Sequence, residues 1–315
     1  MTIKLYFSRF SFNSTFIINT ALPELLTEDF LYPASYDQTQ QPARGLAAKN
    51  PNRPLLVILH PWSWGYRHQN SPAVEQWCVE NDWNLVHPHF RGPSWEPLSC
   101  GHDAAVQDIV DVVKYVQKEW NADVSNTFCT GSSGGGYHTM LMTGRHPELW
   151  KGTSAWCGIS DIKAWHAESK LRKYGYNNHI ETACGGDPQT DAAAEASAVH
   201  RSALTYLQPN NPVPSIEIAA GIHDGHQGSV PISQSLNAFN ALVLPEARIA
   251  QNDIDMMTEF EKVPAHLPEP FMDPDFGTKT IHFRKQSDNV RVTIFEGGHE
   301  MVQSAVIAWL KRMTE

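Results

Sequence analysis

The most informative segment of this chain is Thr130-Gly131-Ser132-Ser133-Gly134-Gly135-Gly136-Tyr137. Glycine stands two residues before and two residues after Ser133, a spacing typical of a sharp turn from a strand into a helix. Residues 126–130 resemble a short buried strand, and residues 137–144 resemble a helix. Such a turn exposes the serine hydroxyl and points helical N–H groups toward it. Ser133 is therefore the candidate nucleophile. Ser132 is excluded, because residue 130 is threonine where the spacing requires glycine.

Apolar, strand-like runs alternate with helix-like segments along the rest of the chain. The predicted strands are residues 54–60, 83–87, 126–130, 152–158, 215–221 and 290–295. The predicted helices are residues 72–80, 103–119 (with Asp103 as N-cap), 137–144 and 230–243, and a last helix through Trp309. This alternation predicts the α/β class, with a mostly parallel central sheet covered by helices on both faces.

The chain divides into a short N-terminal region and a catalytic domain. Residues 1–53 contain strand-like pieces, including residues 1–10 and 30–36, followed by a polar stretch that we interpret as an exposed loop. We expect this region to pack on the core of the domain formed by residues 54–315. Within that domain, residues 162–210 predict a helical, cap-like segment, and the polar, proline-rich residues 245–288 predict a lid-like insertion.

Composition narrows the class of protein. The 315 residues are 41% hydrophobic and 18% charged, with a formal net charge of −10 and no basic stripe, which argues against nucleic-acid binding. No apolar run approaches the roughly 20 residues that span a membrane, and the first residues do not resemble a signal peptide. We therefore expect a cytoplasmic protein of undetermined oligomeric state. Its five widely spaced cysteines do not suggest a disulfide framework or a zinc site.

Chemically active side chains follow the predicted strands directly: His60, His87, Ser133, Asp161, Asp224 and His299. In an open parallel sheet, ligands bind beyond the carboxyl ends of the strands. A serine nucleophile needs a base within reach, and the base needs an acid that fixes its tautomer. The chain order Ser133, Asp224, His299 is that of α/β-hydrolases, and it predicts the α/β-hydrolase fold. Asp161 is the alternative acid, because it also ends a strand.

Two backbone N–H groups are needed to stabilise the oxyanion of such a reaction. The first is expected from Gly134, which directly follows the nucleophile. The second is expected from the loop after the first apolar strand, His60-Pro-Trp-Ser-Trp-Gly65. Trp62 is our first choice for this donor and Ser63 the second.

Three segments together resemble the catalytic domain of the prolyl oligopeptidase family and, more broadly, α/β-hydrolase esterases. They are Gly131-x-Ser133-x-Gly135-Gly136-Tyr137, Val230-Pro-Ile-Ser-Gln-Ser235 and Glu296-Gly-Gly-His299. The similarity extends over about residues 54–310. The resemblance implies that Ser133 is the nucleophile, His299 the base and the aspartate ahead of Val230 the orienting acid.

The sequence departs from this family in two ways. The family usually places its aspartate two residues before the Val-Pro pair, where this chain has Gly228; Asp224 lies four residues earlier, so residues 225–228 look like an insertion. We expect no propeller domain of the kind that limits those peptidases to oligopeptides, because residues 1–53 are too few to form one. The second departure favours carboxylic esters as substrates, with a prolyl oligopeptidase-like serine peptidase as the alternative.

Two further classes of protein stay open. Histidines and a carboxylate are common metal ligands, so a metal-dependent hydrolase is the alternative from another class, with ligands among His60, His87, His89, His223, Asp224 and His226. In the favoured interpretation the chain needs no metal and no cofactor. The last alternative is a non-catalytic binding protein with a hydrolase-like fold.

Aromatic and basic residues near the strand ends suggest how a substrate is held. Tryptophan faces stack on sugars and aromatic acids, and arginine binds carboxylates with two parallel hydrogen bonds. The candidate substrate-binding residues are Trp64, Arg91, Trp165 and Arg284. They favour a small-molecule or saccharide ester, such as one with a carbohydrate-linked or aromatic acyl group.

Overall fold

A computed structural model describes residues 27–209 and 213–315. Its strands are β1 (Glu28–Pro33), β2 (Gln40–Leu46), β3 (Leu55–Leu59), β4 (Asn84–Pro88), β5 (Thr127–Ser132), β6 (Gly152–Trp156), β7 (Ser215–Gly221), β8 (Phe271–Met272), β9 (Thr280–Ser287) and β10 (Val290–Phe295). Its α-helices are α1 (Pro72–Glu80), α2 (Asp103–Glu119), α3 (Gly134–Arg145), α4 (Ile162–Arg172), α5 (Tyr176–Cys184), α6 (Ala192–Arg201), α7 (Ser233–Leu242), α8 (Gln251–Phe260) and α9 (Gln303–Thr314).

The described strands form one sheet in the order β1-β2-β4-β3-β5-β6-β7-β10-β9-β8. The six strands from β4 to β10 pair in parallel, whereas β1 and β2 on one side and β9 and β8 on the other are antiparallel. The six central strands correspond to the six predicted strand segments, and β3 is the continuous apolar run that is typical of a strand covered on both faces. The predicted α/β-hydrolase fold with a mostly parallel sheet is confirmed.

Strand β3 shows how the sheet separates two hydrophobic layers. Its five residues are all buried, and successive side chains point to opposite faces. Leu55, Val57 and Leu59 belong to the core that includes residues of α2, α3 and α7. Leu56 and Ile58 belong to the second core, which includes residues of α1 and α9. Helices therefore cover both faces of the sheet, as predicted.

Two local predictions were wrong, and a third segment has more regular structure than its sequence indicated. The polar stretch interpreted as a loop contains β2, which pairs with β1 and β4 and is only partly buried. Residues 245–288 contain α8 and β9, and their predicted role as a lid-like insertion stays a prediction. The N-cap of α2 is His102, whose Nδ1 accepts a hydrogen bond from the Ala104 N–H at 3.1 Å, rather than Asp103.

The predictions for residues 1–10 and for the segment 162–210 are not tested by the described fold. The strand predicted at residues 1–10 lies outside the described residues. Helices α4, α5 and α6 occupy the segment predicted to be cap-like, and its role as a cap stays a prediction. Within the two described ranges, none of the helices has the length and apolar character needed to cross a membrane.

The parallel core of the sheet brings the predicted reactive residues to one edge. Ser133 directly follows β5, Asp224 follows β7 and His299 follows β10. Because these strands are parallel, their carboxyl ends lie at the same edge of the sheet. The fold thus places the three side chains on one side of the molecule.

Candidate active site

Ser133 occupies a strained backbone conformation between β5 and α3. Its φ of 58° and ψ of −122° lie in a region that residues with a side chain rarely adopt. The Ser133 N–H donates to the Trp156 carbonyl oxygen at 2.8 Å, which fixes the turn against β6. Helix α3 begins at the next residue, so the hydroxyl group stands at the helix N-terminus.

The glycines around Ser133 are required by close backbone contacts. A Cβ atom at Gly135 would overlap the Leu59 carbonyl oxygen of β3, and one at Gly131 would lie 2.6 Å from the Gly135 carbonyl carbon. In both cases the two atoms would lie much closer than a normal van der Waals contact. The Gly-x-Ser-x-Gly spacing therefore allows the helix to approach the sheet closely at the turn.

Gly134 packs directly on the backbone of Trp62. A Cβ atom at Gly134 would lie 2.5 Å from the Trp62 Cα atom and would overlap the Trp62 nitrogen. Among the described residues the Trp62 N–H has no acceptor, whereas its indole Nε1 donates to His179 Nδ1 at 3.2 Å. The two N–H groups predicted for the oxyanion thus belong to adjacent backbone segments. Ser63, the second choice, is exposed on the same loop.

His299 is in contact with Asp224. The Nδ1 atom of His299 lies 2.7 Å from Asp224 Oδ2, and the Asp224 side chain is fully buried. The other carboxylate oxygen, Oδ1, accepts hydrogen bonds from the N–H groups of Gly225 at 2.9 Å and Val230 at 3.1 Å. The carboxylate is therefore held in one orientation, and it holds the imidazole with the proton on Nδ1 and the lone pair on Nε2.

The position of Gly228 explains the irregular spacing of the aspartate. A Cβ atom at Gly228 would overlap Asp224 Oδ1 and would lie 2.6 Å from the His299 Cβ atom. The Asp224 carboxylate thus fills the space next to His299 that a side chain at residue 228 would enter. Residues 225–228 loop out far enough to make this possible.

Asp161, the alternative acid, has a different partner. Its carboxylate accepts a hydrogen bond from the Ala164 N–H at 2.9 Å and forms the N-cap of α4. A capping carboxylate compensates the unpaired N–H groups of the first helical turn. Of the two candidate acids, it is Asp224 that contacts His299.

Cys157 lies beside the acid–base pair, a position that sequence reasoning missed. Its Sγ atom donates to the Glu300 carbonyl oxygen at 3.2 Å, next to His299. Its Sγ atom also lies within 4.8 Å of ligand atoms of Asp224 and His299. Burial, and to a lesser extent the Asp224 charge, raise the pKa of the thiol. The residue follows β6, so the rule of strand ends was the available signal.

The two candidate tryptophans have different surroundings. Trp64 is 52% exposed, and one face of its indole stacks on His68 with ring centroids 3.9 Å apart. Trp165 is buried, packs edge-on against Trp62 and donates from Nε1 to the Ser229 carbonyl oxygen at 2.8 Å. Trp64 is thus open to a ligand, and Trp165 is part of the wall behind the Asp224 loop.

Neither candidate arginine is free to bind a carboxylate of the substrate. The Arg91 guanidinium donates to Asp37 at 2.6 Å and to Asp108 at 2.7 Å. The Arg284 guanidinium donates to Asp273 at 2.6 Å on the far edge of the sheet. Because both guanidinium groups are engaged in these largely buried ion pairs, the predicted substrate contact has no geometric support.

The histidines proposed as metal ligands do not converge. Both ring nitrogens of His60 lie 3.0 Å from carbonyl oxygens, those of Pro61 and His89. The imidazole of His223 lies between two glutamates, and that of His226 faces the Thr258 carbonyl oxygen. Over residues 27–209 and 213–315, the groups that bring three ligand atoms together are Cys157–Asp224–His299 and His166–Glu181–Asp187. The predicted histidine cluster is therefore not assembled.

Comparison with models of known protein families gives a match. The model of the prolyl oligopeptidase family matches residues 76–262, more than half of the chain. This range includes Ser133 and Asp224 but ends before His299.

Curated relatives include two fungal enzymes. An acetylxylan esterase of Coprinopsis cinerea is 30% identical over 122 residues, which cover 35% of this chain and 32% of the relative. Feruloyl esterase B of Talaromyces funiculosus is 27% identical over 118 residues, or 33% of this chain and 32% of the relative. The matches thus span about a third of the length of these relatives.

Solved structures with the same fold include two peptidases. The acylaminoacyl peptidase of Pyrococcus horikoshii superposes with a TM-score of 0.58 at 17% identity, over 91% of this chain and 40% of the peptidase. Oligopeptidase B of Leishmania major superposes with a TM-score of 0.61 at 14% identity, over 91% of this chain and 36% of that protein. At these identities the likeness shows the fold alone.

Proposed function

The chain belongs to the prolyl oligopeptidase family of serine hydrolases, and we propose that it cleaves carboxylic esters through Ser133, His299 and Asp224. The observation that carries the proposal is the 2.7 Å contact between His299 Nδ1 and the buried Asp224 carboxylate, at the same sheet edge as the strained serine. A serine in this setting can be activated by an oriented imidazole.

The reaction follows from the roles of these groups. The lone pair on His299 Nε2 accepts the Ser133 hydroxyl proton while Oγ attacks the ester carbonyl carbon. The N–H groups of Gly134 and Trp62 stabilise the oxyanion of the tetrahedral intermediate. His299 then returns the proton to the departing alcohol, which leaves an acyl group on Ser133. A water molecule then attacks the acyl carbonyl carbon while His299 accepts its proton. His299 returns this proton to Ser133 Oγ as the bond to the acyl group breaks and the acid is released.

A small-molecule or saccharide ester is the proposed substrate class. Two curated relatives are named for acetylxylan and feruloyl ester hydrolysis, which supports esters over peptides. The open face of Trp64, two residues beyond the proposed oxyanion donor Trp62, offers a stacking surface for a sugar or aromatic acyl group. The cytoplasmic location remains a prediction from the sequence.

The test compares acetyl, feruloyl and methyl-uronate esters with a prolyl anilide, using wild-type protein and the Ser133→Ala variant. We expect hydrolysis of at least one ester class, with kcat/KM well above that for the anilide, and labelling by a fluorophosphonate probe. Ser133→Ala should lose both hydrolysis and labelling and keep its folding, because only Oγ is removed.

Ser132→Ala is the matched control, since it removes a hydroxyl from the neighbouring residue outside the predicted elbow spacing. It should retain most of the activity. Full activity in Ser133→Ala, or a loss confined to Ser132→Ala, would exclude the proposed nucleophile. Faster turnover of the prolyl anilide than of every ester would make the protein a peptidase.

A further inference from the structure

His223 lies between two carboxylates beside the proposed catalytic groups. Its Nδ1 atom is 2.7 Å from Glu261 Oε1, and its Nε2 atom is 2.9 Å from Glu296 Oε1. Glu261 ends helix α8, and Glu296 follows strand β10. One imidazole therefore joins α8 and the loops after β7 and β10.

The connected loops are those that carry the proposed acid and base. His223 directly precedes Asp224, and Glu296 lies three residues before His299. The His223 N–H also donates to the Gly297 carbonyl oxygen at 3.0 Å, so backbone and side chain both join the two loops. A change in the side-chain contact would alter the position of Asp224 relative to His299.

The arrangement requires a particular protonation state. A neutral imidazole has one N–H, whereas His223 faces a carboxylate acceptor at each ring nitrogen. Only the imidazolium donates to both. His282 Nε2 contacts the second Glu296 oxygen at 2.7 Å, and Lys279 donates to the Glu296 carbonyl oxygen and to the Glu300 carboxylate. His282, Lys279 and Glu300 are thus the further charged or titratable groups around Glu296. Glu261 and Glu296 are the two carboxylates in contact with His223.

We propose that protonated His223 is a positioning residue that holds the Asp224 and His299 loops in register through Glu296 and Glu261. The proposal rests on the proposed roles of Asp224 and His299. His223 does not touch the reacting atoms, so it acts through the geometry of the acid–base pair. Misplacement by about 1 Å can cost about 100-fold in rate.

The direction of the pH effect follows from the carboxylates. Hydrogen bonds that His223 donates to Glu261 first, and then to Glu296, raise the pKa of His223 above its ordinary value near 6.5. The imidazolium contacts are therefore complete below that ordinary value and are lost as pH rises through the raised pKa. We therefore expect kcat to decline on the alkaline side, as His223 loses its proton and its two carboxylate contacts weaken.

The experiment measures kcat and KM of an ester across pH 5–10 for wild-type protein, His223→Gln and Glu261→Gln. We expect His223→Gln to lower kcat about tenfold at neutral pH with little change in KM, and to lose the alkaline decline. Glu261→Gln keeps His223 but removes one carboxylate charge, so its alkaline decline should begin at lower pH. It also provides a readout if His223→Gln folds poorly.

His146→Gln is the control, because His146 contacts Glu148 at 3.0 Å and follows the end of α3 opposite Ser133. Its pH profile should match the wild type. Titration of ¹³C-labelled histidine by NMR should show a His223 pKa above 6.5 that falls in Glu296→Gln. An alkaline decline that is identical in wild-type, His223→Gln and Glu261→Gln protein would overturn the proposal, whereas retained activity in Ser133→Ala would overturn the proposed function instead.

Discussion

Replacement of Asp224 by asparagine tests the proposed acid most directly. In the wild type, Oδ1 accepts from the N–H groups of Gly225 and Val230, and Oδ2 contacts His299 Nδ1 at 2.7 Å. In Asp224→Asn, the amide oxygen has to stay at the Oδ1 position, because an NH₂ group there would face two N–H donors. The NH₂ group then replaces Oδ2 and donates to His299 Nδ1.

This change reverses the tautomer of the base. With Nδ1 acting as an acceptor, the neutral imidazole carries its proton on Nε2 and cannot accept the Ser133 proton. The corresponding substitution in a serine protease lowers kcat about 10⁴-fold. Since each tenfold change corresponds to about 1.4 kcal/mol, the expected increase in the activation free energy is about 5 kcal/mol. The shape of the side chain is unchanged, so the fold should be retained.

Asp161→Asn is the matched control for this prediction. The same chemical change occurs after a neighbouring strand, and asparagine caps α4 about as well as aspartate. We expect kcat within about twofold of the wild type. Both variants are assayed on one ester at saturating substrate, with thermal unfolding as the check of folding. Asp224 is not the orienting acid if folded Asp224→Asn keeps kcat within tenfold of the wild type, or if Asp161→Asn shows the larger loss.

Two further predictions concern Gly228, which packs against Asp224 and His299, and the buried His138. In Gly228→Ala, the new methyl group would overlap Asp224 Oδ1 and lie 2.6 Å from the His299 Cβ atom, so kcat should fall about 100-fold in steady-state assays while the protein still folds. Burial lowers the pKa of His138 to about 3 in the folded protein. Because the unfolded state binds this proton near pH 6.5, stability is lost as pH falls, by about 2 kcal/mol from pH 7 to pH 5. Urea unfolding at both pH values should show a loss smaller by that amount in His138→Gln.

The local sequence determined the central architecture and the candidate chemistry. Strand β3 is apolar throughout and buried on both faces, so the evidence for it lies within its own five residues. Strands β5, β7 and β10 are also mostly buried, and each has enough apolar residues to be recognised from its own segment. The glycines around Ser133 reflect steric contacts that tolerate no side chain. The motifs were sufficient to recognise the family, which the family match confirms.

The edge strands and the partners of charged side chains depend on residues far away in the sequence, and they became known from the tertiary structure. Strands β2 and β9 are stabilised by pairing with β4 and β10, and neither has the continuous apolar run of a central strand. Arg91 is bound by Asp37 and Asp108, which are 54 and 17 residues away, so its engagement was invisible in the local sequence.

The two candidate acids are likewise distinguished by their partners in the tertiary structure. Asp161 and Asp224 both follow strands. The chain order favoured Asp224, but the local sequence around each carboxylate does not reveal which of them turns toward His299. The loop at residues 225–228 and two backbone N–H groups orient Asp224, while the first turn of α4 binds Asp161. Residue type and strand position are encoded locally, whereas the partner of each polar group is set by how the loops meet at the sheet edge.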